Sequence, residues 1–129
     1  MRIQQFKKGE VICQENSSGD EMYIVASGEV IVFKQVEDQQ LDLAQLRGTN
    51  FFGEIALLTG EQRTATVQAT QDTEVLVLTK QDLLKKMQQD PQFALTFVTT
   101  MARRLTRAHK MISSLADVKR SLELAYFGQ

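Results

Sequence analysis

Between Lys7 and about Thr79 the chain is a succession of short runs rich in β-branched residues, and from Lys80 onward the hydrophobic period becomes helical. No other feature restricts the fold as much. The runs are Val11-Ile12-Cys13, Met22-Tyr23-Ile24-Val25, Val30-Ile31-Val32-Phe33, Leu41-Asp42-Leu43-Ala44-Gln45-Leu46, Thr64-Ala65-Thr66-Val67 and Val75-Leu76-Val77-Leu78. Lys8-Gly9, Ser18-Gly19-Asp20, Ser27-Gly28, Gly48-Thr49-Asn50 and Gln71-Asp72 separate them, residue types that fix or tolerate the backbone angles of a reversal. Many short strands at this spacing suggest a sandwich or barrel-like roll rather than βαβ units. The one interruption is 53–60, where Glu54-Ile55-Ala56-Leu57-Leu58 favours a turn or two of helix before Thr59-Gly60.

Two helices follow. Thr79 is the expected N-cap of the first, which runs to about Gln89 with Leu83, Leu84 and Met87 on one side. Asp90-Pro91 ends it and starts the next, with Asp90 as N-cap and proline at the tolerated first position. The second helix is expected from Gln92 to Ala116 or beyond. Along it Ala94, Val98, Met101, Leu105, Ala108, Ile112 and Leu115 recur at alternating spacings of four and three, the signature of a heptad seam. Phe93, Phe97 and Ala102 form a second apolar flank. Either the seam meets a second copy, with Val98, Met101, Leu105, Ala108, Ile112 and Leu115 as the dimer interface, or both flanks pack on one domain. Self-association is preferred, because one helix of a small domain rarely needs so wide an apolar face. The expected division is 1–79 for the roll and 80–129 for helices that complete the same domain as lid and dimer arm.

At 129 residues the chain has length for one core, and no apolar run reaches the roughly 20 residues that span a bilayer. A single Cys13 precludes an internal disulfide and suits a reducing compartment, so a cytoplasmic location is expected, with no membrane partner. After Asp90 the only acidic residues are Asp117 and Glu123, against Arg103, Arg104, Arg107, Lys110, Lys119 and Arg120. A solvated helix face is preferred there over a phosphate-binding one. One His, one Cys and no clustered carboxylates give neither a three-ligand metal site nor an activated serine at Ser17, Ser18 or Ser27. The expectation is a protein that is not an enzyme and holds no metal or cofactor.

Chemistry concentrates in Phe52-Gly53-Glu54-Ile55-Ala56-Leu57-Leu58 and Arg63-Thr64-Ala65-Thr66-Val67. A glycine turn, a run of backbone N–H groups, a carboxylate and a guanidinium arriving on what reads as the next strand make a pocket for a small anion that also carries hydroxyls. A ligand-free Glu54–Arg63 ion pair stapling the segment is the alternative.

These residues resemble the cyclic nucleotide-binding domain of the catabolite-activator, kinase-regulatory and channel families, over nearly the whole chain. Lys8-Gly9-Glu10-Val11-Ile12, Ser18 to Val25 and Ser27-Gly28-Glu29-Val30 are similar to its opening strands, and 51–67 resembles its phosphate-binding cassette. Met101-Ala102-Arg103-Arg104-Leu105 resembles the dimerising helix of the bacterial activators. The resemblance implies a mainly β fold, an antiparallel β-roll of the jelly-roll kind holding a short cassette helix, in which Glu54 accepts a hydrogen bond from the ribose 2′-hydroxyl and Arg63 pairs with the cyclic phosphate. Backbone N–H groups of Gly53, Ile55 and Ala56 would line phosphate and sugar, with further contacts from the Thr64 hydroxyl and the Ala65 N–H. Leu57, Val67 and Val32 are candidate pocket walls as well as candidate core.

Asn16-Ser17 stands where the family commonly has Gly-Asp, Gly48 is displaced by one position, and Gln62 replaces a common proline. The activators' adenine contacts fall on Ala108 and His109, of which only His109 can hydrogen-bond a base. The implied ligand is a cyclic nucleotide, cAMP favoured over cGMP, and the implied role a sensor whose long helix responds to ligand and serves a homodimer or a separate effector. The competing reading is a ligand-free interaction module. The stretch from Asp117 to Gln129 is too short for a winged helix-turn-helix, so DNA binding by this chain alone is not expected. Either the chain is a minimal sensor or it is a piece of a longer regulator.

Overall fold

The computed structural model describes residues 1–127, and the last two positions of the expected helical region, Gly128 and Gln129, lie outside the described residues. The strands are β1 (Arg2–Phe6), β2 (Val11–Cys13), β3 (Glu21–Ser27), β4 (Glu29–Val36), β5 (Gln39–Arg47), β6 (Phe51–Phe52), β7 (Thr66–Ala69) and β8 (Thr73–Thr79). The helices are α1 (Glu54–Thr59), α2 (Lys80–Gln89) and α3 (Pro91–Phe127). Two antiparallel sheets form, in the orders β1-β8-β3-β6 and β2-β7-β4-β5. The mainly β roll with a cassette helix and C-terminal helices is therefore as the sequence indicated. The chain divides into two compact units, Met1–Lys85 and from Lys86 onward.

Within the first unit, side chains from both sheets meet in one core: Tyr23, Val25, Phe52, Val75 and Val77 from one, Cys13, Val30 and Val67 from the other. Met22 and Leu78, on the opposite face of β3 and β8, are also fully buried. Burial of both faces explains why these strands read as unbroken apolar runs instead of alternating ones.

The capping expectations hold. The Asp82 N–H donates to Thr79 Oγ1 at 3.1 Å while the Thr79 N–H donates to the Asp82 carboxylate at 3.0 Å, a reciprocal box. The Phe93 N–H donates to Asp90 Oδ1 at 3.1 Å. The same contact with Thr79 holds the Asp82 carboxyl below its usual range.

Other expectations need correction. Arg2–Phe6 is an edge strand paired with β8, although its polar, largely exposed residues give no strand signal. The strand expected from Thr64 begins at Thr66, and Arg63 lies in the loop before it. The reason is that Arg63 spends its backbone elsewhere: its N–H donates to Ser17 O at 2.7 Å and its carbonyl accepts from the Asn16 N–H at 2.8 Å. Asn16 takes the left-handed backbone (φ 67) that its substitution for glycine required. The displaced Gly48 has a different outcome. Thr49, a β-branched residue, carries the positive φ of 67 that a glycine one position later would have supplied.

Candidate functional site

The cassette begins where β6 ends. Tyr23 pairs with Phe52 and Ile24 with Phe51, after which Gly53 turns the chain out of the sheet with φ 83 and ψ 2 as the N-cap of α1. The helix's ladder opens with Leu57 N–H to Gly53 O at 3.3 Å, so the amides of the first turn, Ile55 and Ala56 among them, precede it. Glu54, the first helical residue, is buried at 6% exposure, and Ala56 and Leu57 are buried beside it. Ile55 is exposed.

Arg63 is 7% exposed, which is unusual for a guanidinium. Its Nη1 donates to Gly53 O at 3.0 Å and its Nη2 to Glu21 O at 2.9 Å. Its Cζ lies 5.8 Å from the centre of the Tyr23 ring. Two glycines make room: a Cβ on Gly53 would stand 2.8 Å from Nη1, and one on Gly19 would stand 2.6 Å from Cζ and Nε. Thr64 and Ala65 form a bend after Arg63, with Thr64 exposed and Ala65 half-buried. Val67 is in the core and Val32 is packed against it, whereas Leu57 is buried in α1.

Glu54 and Arg63 both act on Cys13. Burial pushes that thiol up to about 11, the Arg63 charge opposes the rise, Glu54 adds to it, and a hydrogen bond with Tyr23 opposes it. Carboxylate and guanidinium thus reach one region of the first unit. The neutral thiol is the form the fold prefers, so its stabilisation is intact below the ordinary value of 9.0 and is lost as pH rises through about 11. We expect wild type to lose about 2–3 kcal/mol of unfolding free energy across that window and Cys13→Ala to lose clearly less. Urea midpoints at pH 8 and pH 11 measure it, and equal losses in the two proteins would contradict the assignment.

The structure therefore brings Gly53, Glu54, Ile55, Ala56, Arg63, Thr64 and Ala65 into the first unit's cassette. Ala108 and His109 stand exposed on α3 in the second unit, as do Val98, Leu105, Ile112 and Leu115; Met101 is partly buried. Sequence reasoning passed over Gly19, the Glu21 carbonyl and Tyr23. Gly19 was visible only as part of a turn, and no local pattern shows that a distant guanidinium lies against it.

The site is thus a buried guanidinium tethered by two backbone carbonyls, one of them the N-cap of the short helix that opens with the buried Glu54. The chain belongs to the cyclic nucleotide-binding domain family, whose model matches residues 3–90. It is 32% identical over 122 residues to the cyclic AMP receptor protein of Thermus thermophilus, covering 94% of this chain and 56% of that protein. It is 41% identical over 64 residues to a cAMP-dependent protein kinase regulatory subunit of Mucor circinelloides, half of this chain and 15% of that one. The crystal structure of the Thermus thermophilus catabolite activator protein superposes with a TM-score of 0.81 at 32% identity, over 89% of this chain and 55% of that chain. The chain thus spans about half or less of the length of these relatives.

Proposed function

We propose that this domain is a cAMP sensor in which Arg63 receives the cyclic phosphate and Glu54 the ribose 2′-hydroxyl. The amides of Gly53, Ile55 and Ala56 line phosphate and sugar, and Thr64 and Ala65 add contacts. The observation that carries the reading is the buried Arg63 guanidinium with one donor on each terminal nitrogen bound to a neutral carbonyl. Neutral acceptors compensate a buried cation only in part, so an anion with matching acceptors gains from the remaining donors. Preference for cAMP over cGMP is supported by what the relatives are called and by their identity to this chain; His109 is the candidate base contact. The domain acts by binding. Among the described residues no helix is long and apolar enough to cross a membrane, and the site of action proposed is the cytoplasm.

A charge-assisted hydrogen bond contributes roughly 1.5–3 kcal/mol, so Arg63→Ala should weaken cAMP binding by about ten- to a hundredfold. Isothermal titration of both proteins with cAMP and cGMP tests this. Affinity unchanged by the substitution would take the phosphate away from Arg63, and no binding by wild type would leave the ligand-free interaction module as the better account.

The output is a homodimer through α3, which the ligand biases by binding its arrangements unequally. Every described side chain from Thr106 to Tyr126 is exposed, including Ile112 at 64% and Leu115 at 67%. A helix gains most of its stability from burying such a face, and the heptad order suits a second copy. Leu105→Asp should convert dimers to monomers in sedimentation equilibrium, and a dimer that survives it would place the interface elsewhere.

A further inference from the structure

We propose that Tyr23, backed by Phe52, is the positioning residue for Arg63: its ring face and its strand register together hold the guanidinium where an anion meets it. The inference rests on the reading of Arg63 as the anion-binding group.

Three observations carry it. First, the Tyr23 and Phe52 rings are stacked, with centroids 5.0 Å apart and planes 17° from parallel, and the two residues are cross-strand partners of β3 and β6. Second, the two carbonyls that hold Arg63 lie at the ends of those same strands. Glu21 precedes Tyr23 by two residues and Gly53 follows Phe52 directly. The Tyr23–Phe52 pairing therefore sets the gap between the two acceptors, and a fork with fixed donor geometry tolerates little change in that gap. Third, Arg63 Cζ stands 5.8 Å from the Tyr23 ring centre, within reach of the attraction between a cation and an aromatic face. A Cβ on Gly53 would meet Arg63 Nη1 at 2.8 Å, Glu21 O at 3.2 Å and Tyr23 Cδ2 at 3.3 Å, so ring, acceptor and cation converge on one point.

An ordinary core tyrosine would behave differently. Its loss would lower stability but leave the affinity of the folded protein, and the state of the guanidinium, alone. The test uses Tyr23→Leu and Tyr23→Phe in the full chain, with and without Arg63→Ala, titrated with cAMP. Tyr23→Phe keeps the ring and should bind within about twofold of wild type. Tyr23→Leu should bind roughly two- to thirtyfold more weakly, the range of a cation–π contact. In the Arg63→Ala background it should have no further effect.

The ¹⁵N resonance of Arg63 Nε–H gives a readout that needs no ligand. A protected, ring-shifted signal should persist in Tyr23→Phe and collapse to the position of a solvated arginine in Tyr23→Leu. Unaltered affinity and resonance in folded Tyr23→Leu, or an equal loss in the Arg63→Ala background, would overturn the proposal. Absence of cAMP binding by wild type would instead count against the sensor reading, and the resonance would still decide the role of Tyr23.

Discussion

Gly19→Ala should remove most cyclic nucleotide affinity while leaving the domain folded. A Cβ there would fall inside the space of the Arg63 guanidinium, 2.6 Å from both Cζ and Nε. Contact that close is impossible, so one partner must move. Gly19 carries no positive φ, so its backbone accepts alanine, and the atoms in the way are the tip of a long flexible side chain. The guanidinium is what leaves. It loses its bonds to Gly53 O and Glu21 O and swings into the space intended for ligand or out to water. Unlike Arg63→Ala, which only deletes a contact, Gly19→Ala also leaves a misplaced cation in the cassette. The expected loss is on the order of a hundredfold in cAMP affinity, the equivalent of one or two charge-assisted bonds. Stability should fall by about 1–3 kcal/mol, because a buried guanidinium gives up its bonds to two backbone carbonyls. Titration calorimetry and urea unfolding on the same samples measure both. Wild-type affinity would show that the cradle is slack, and a stability loss beyond that range would show that Gly19 serves the fold first.

The contrast between what was and was not legible in the sequence runs along the same line. The cassette could be read because its parts are local: Gly53 turns the chain, Glu54 opens α1 and Arg63 follows within one loop. The caps at Thr79 and Asp90 were legible for the same reason, since each bonds to a residue three positions on. What the sequence hid depends on distant partners. β1 reads as polar and becomes a strand only because β8 offers it an edge. Arg63 reads as the start of a strand, yet its backbone is claimed by Asn16 and Ser17, far back in the chain. Gly19 and Gly28 read alike, each as a glycine between strand-like runs, and only the folded chain separates their roles.

Gly28 is the opposite case, and alanine there should cost about 4 kcal/mol of stability or more. It sits between β3 and β4 with φ +88, a conformation that charges an L-residue roughly 1–2 kcal/mol by itself. Its Cβ would also meet backbone, standing 2.7 Å from the Cα of Thr73 and against the carbonyl oxygen of Asp72. Neither can swing aside, because this corner is bonded on every side. The Glu29 N–H donates to Thr73 Oγ1 at 3.1 Å, the Thr70 N–H donates to Glu29 O at 2.9 Å, and Thr73 is only 3% exposed. Relief would require β8 to move from β3, whose pairing already shifts register between Val25 and Ser27. Strain of this kind adds to the φ penalty. With a typical total of 5–15 kcal/mol for a domain, Gly28→Ala should be poorly soluble or melt far below wild type, and whatever folds should bind cAMP normally because the corner does not contribute to the Arg63 cradle. Urea unfolding with titration of the folded fraction checks both halves. A loss below about 1 kcal/mol would mean that β3 and β8 can separate at this corner with little penalty, against the close backbone approach that Gly28 makes to Thr73 and Asp72.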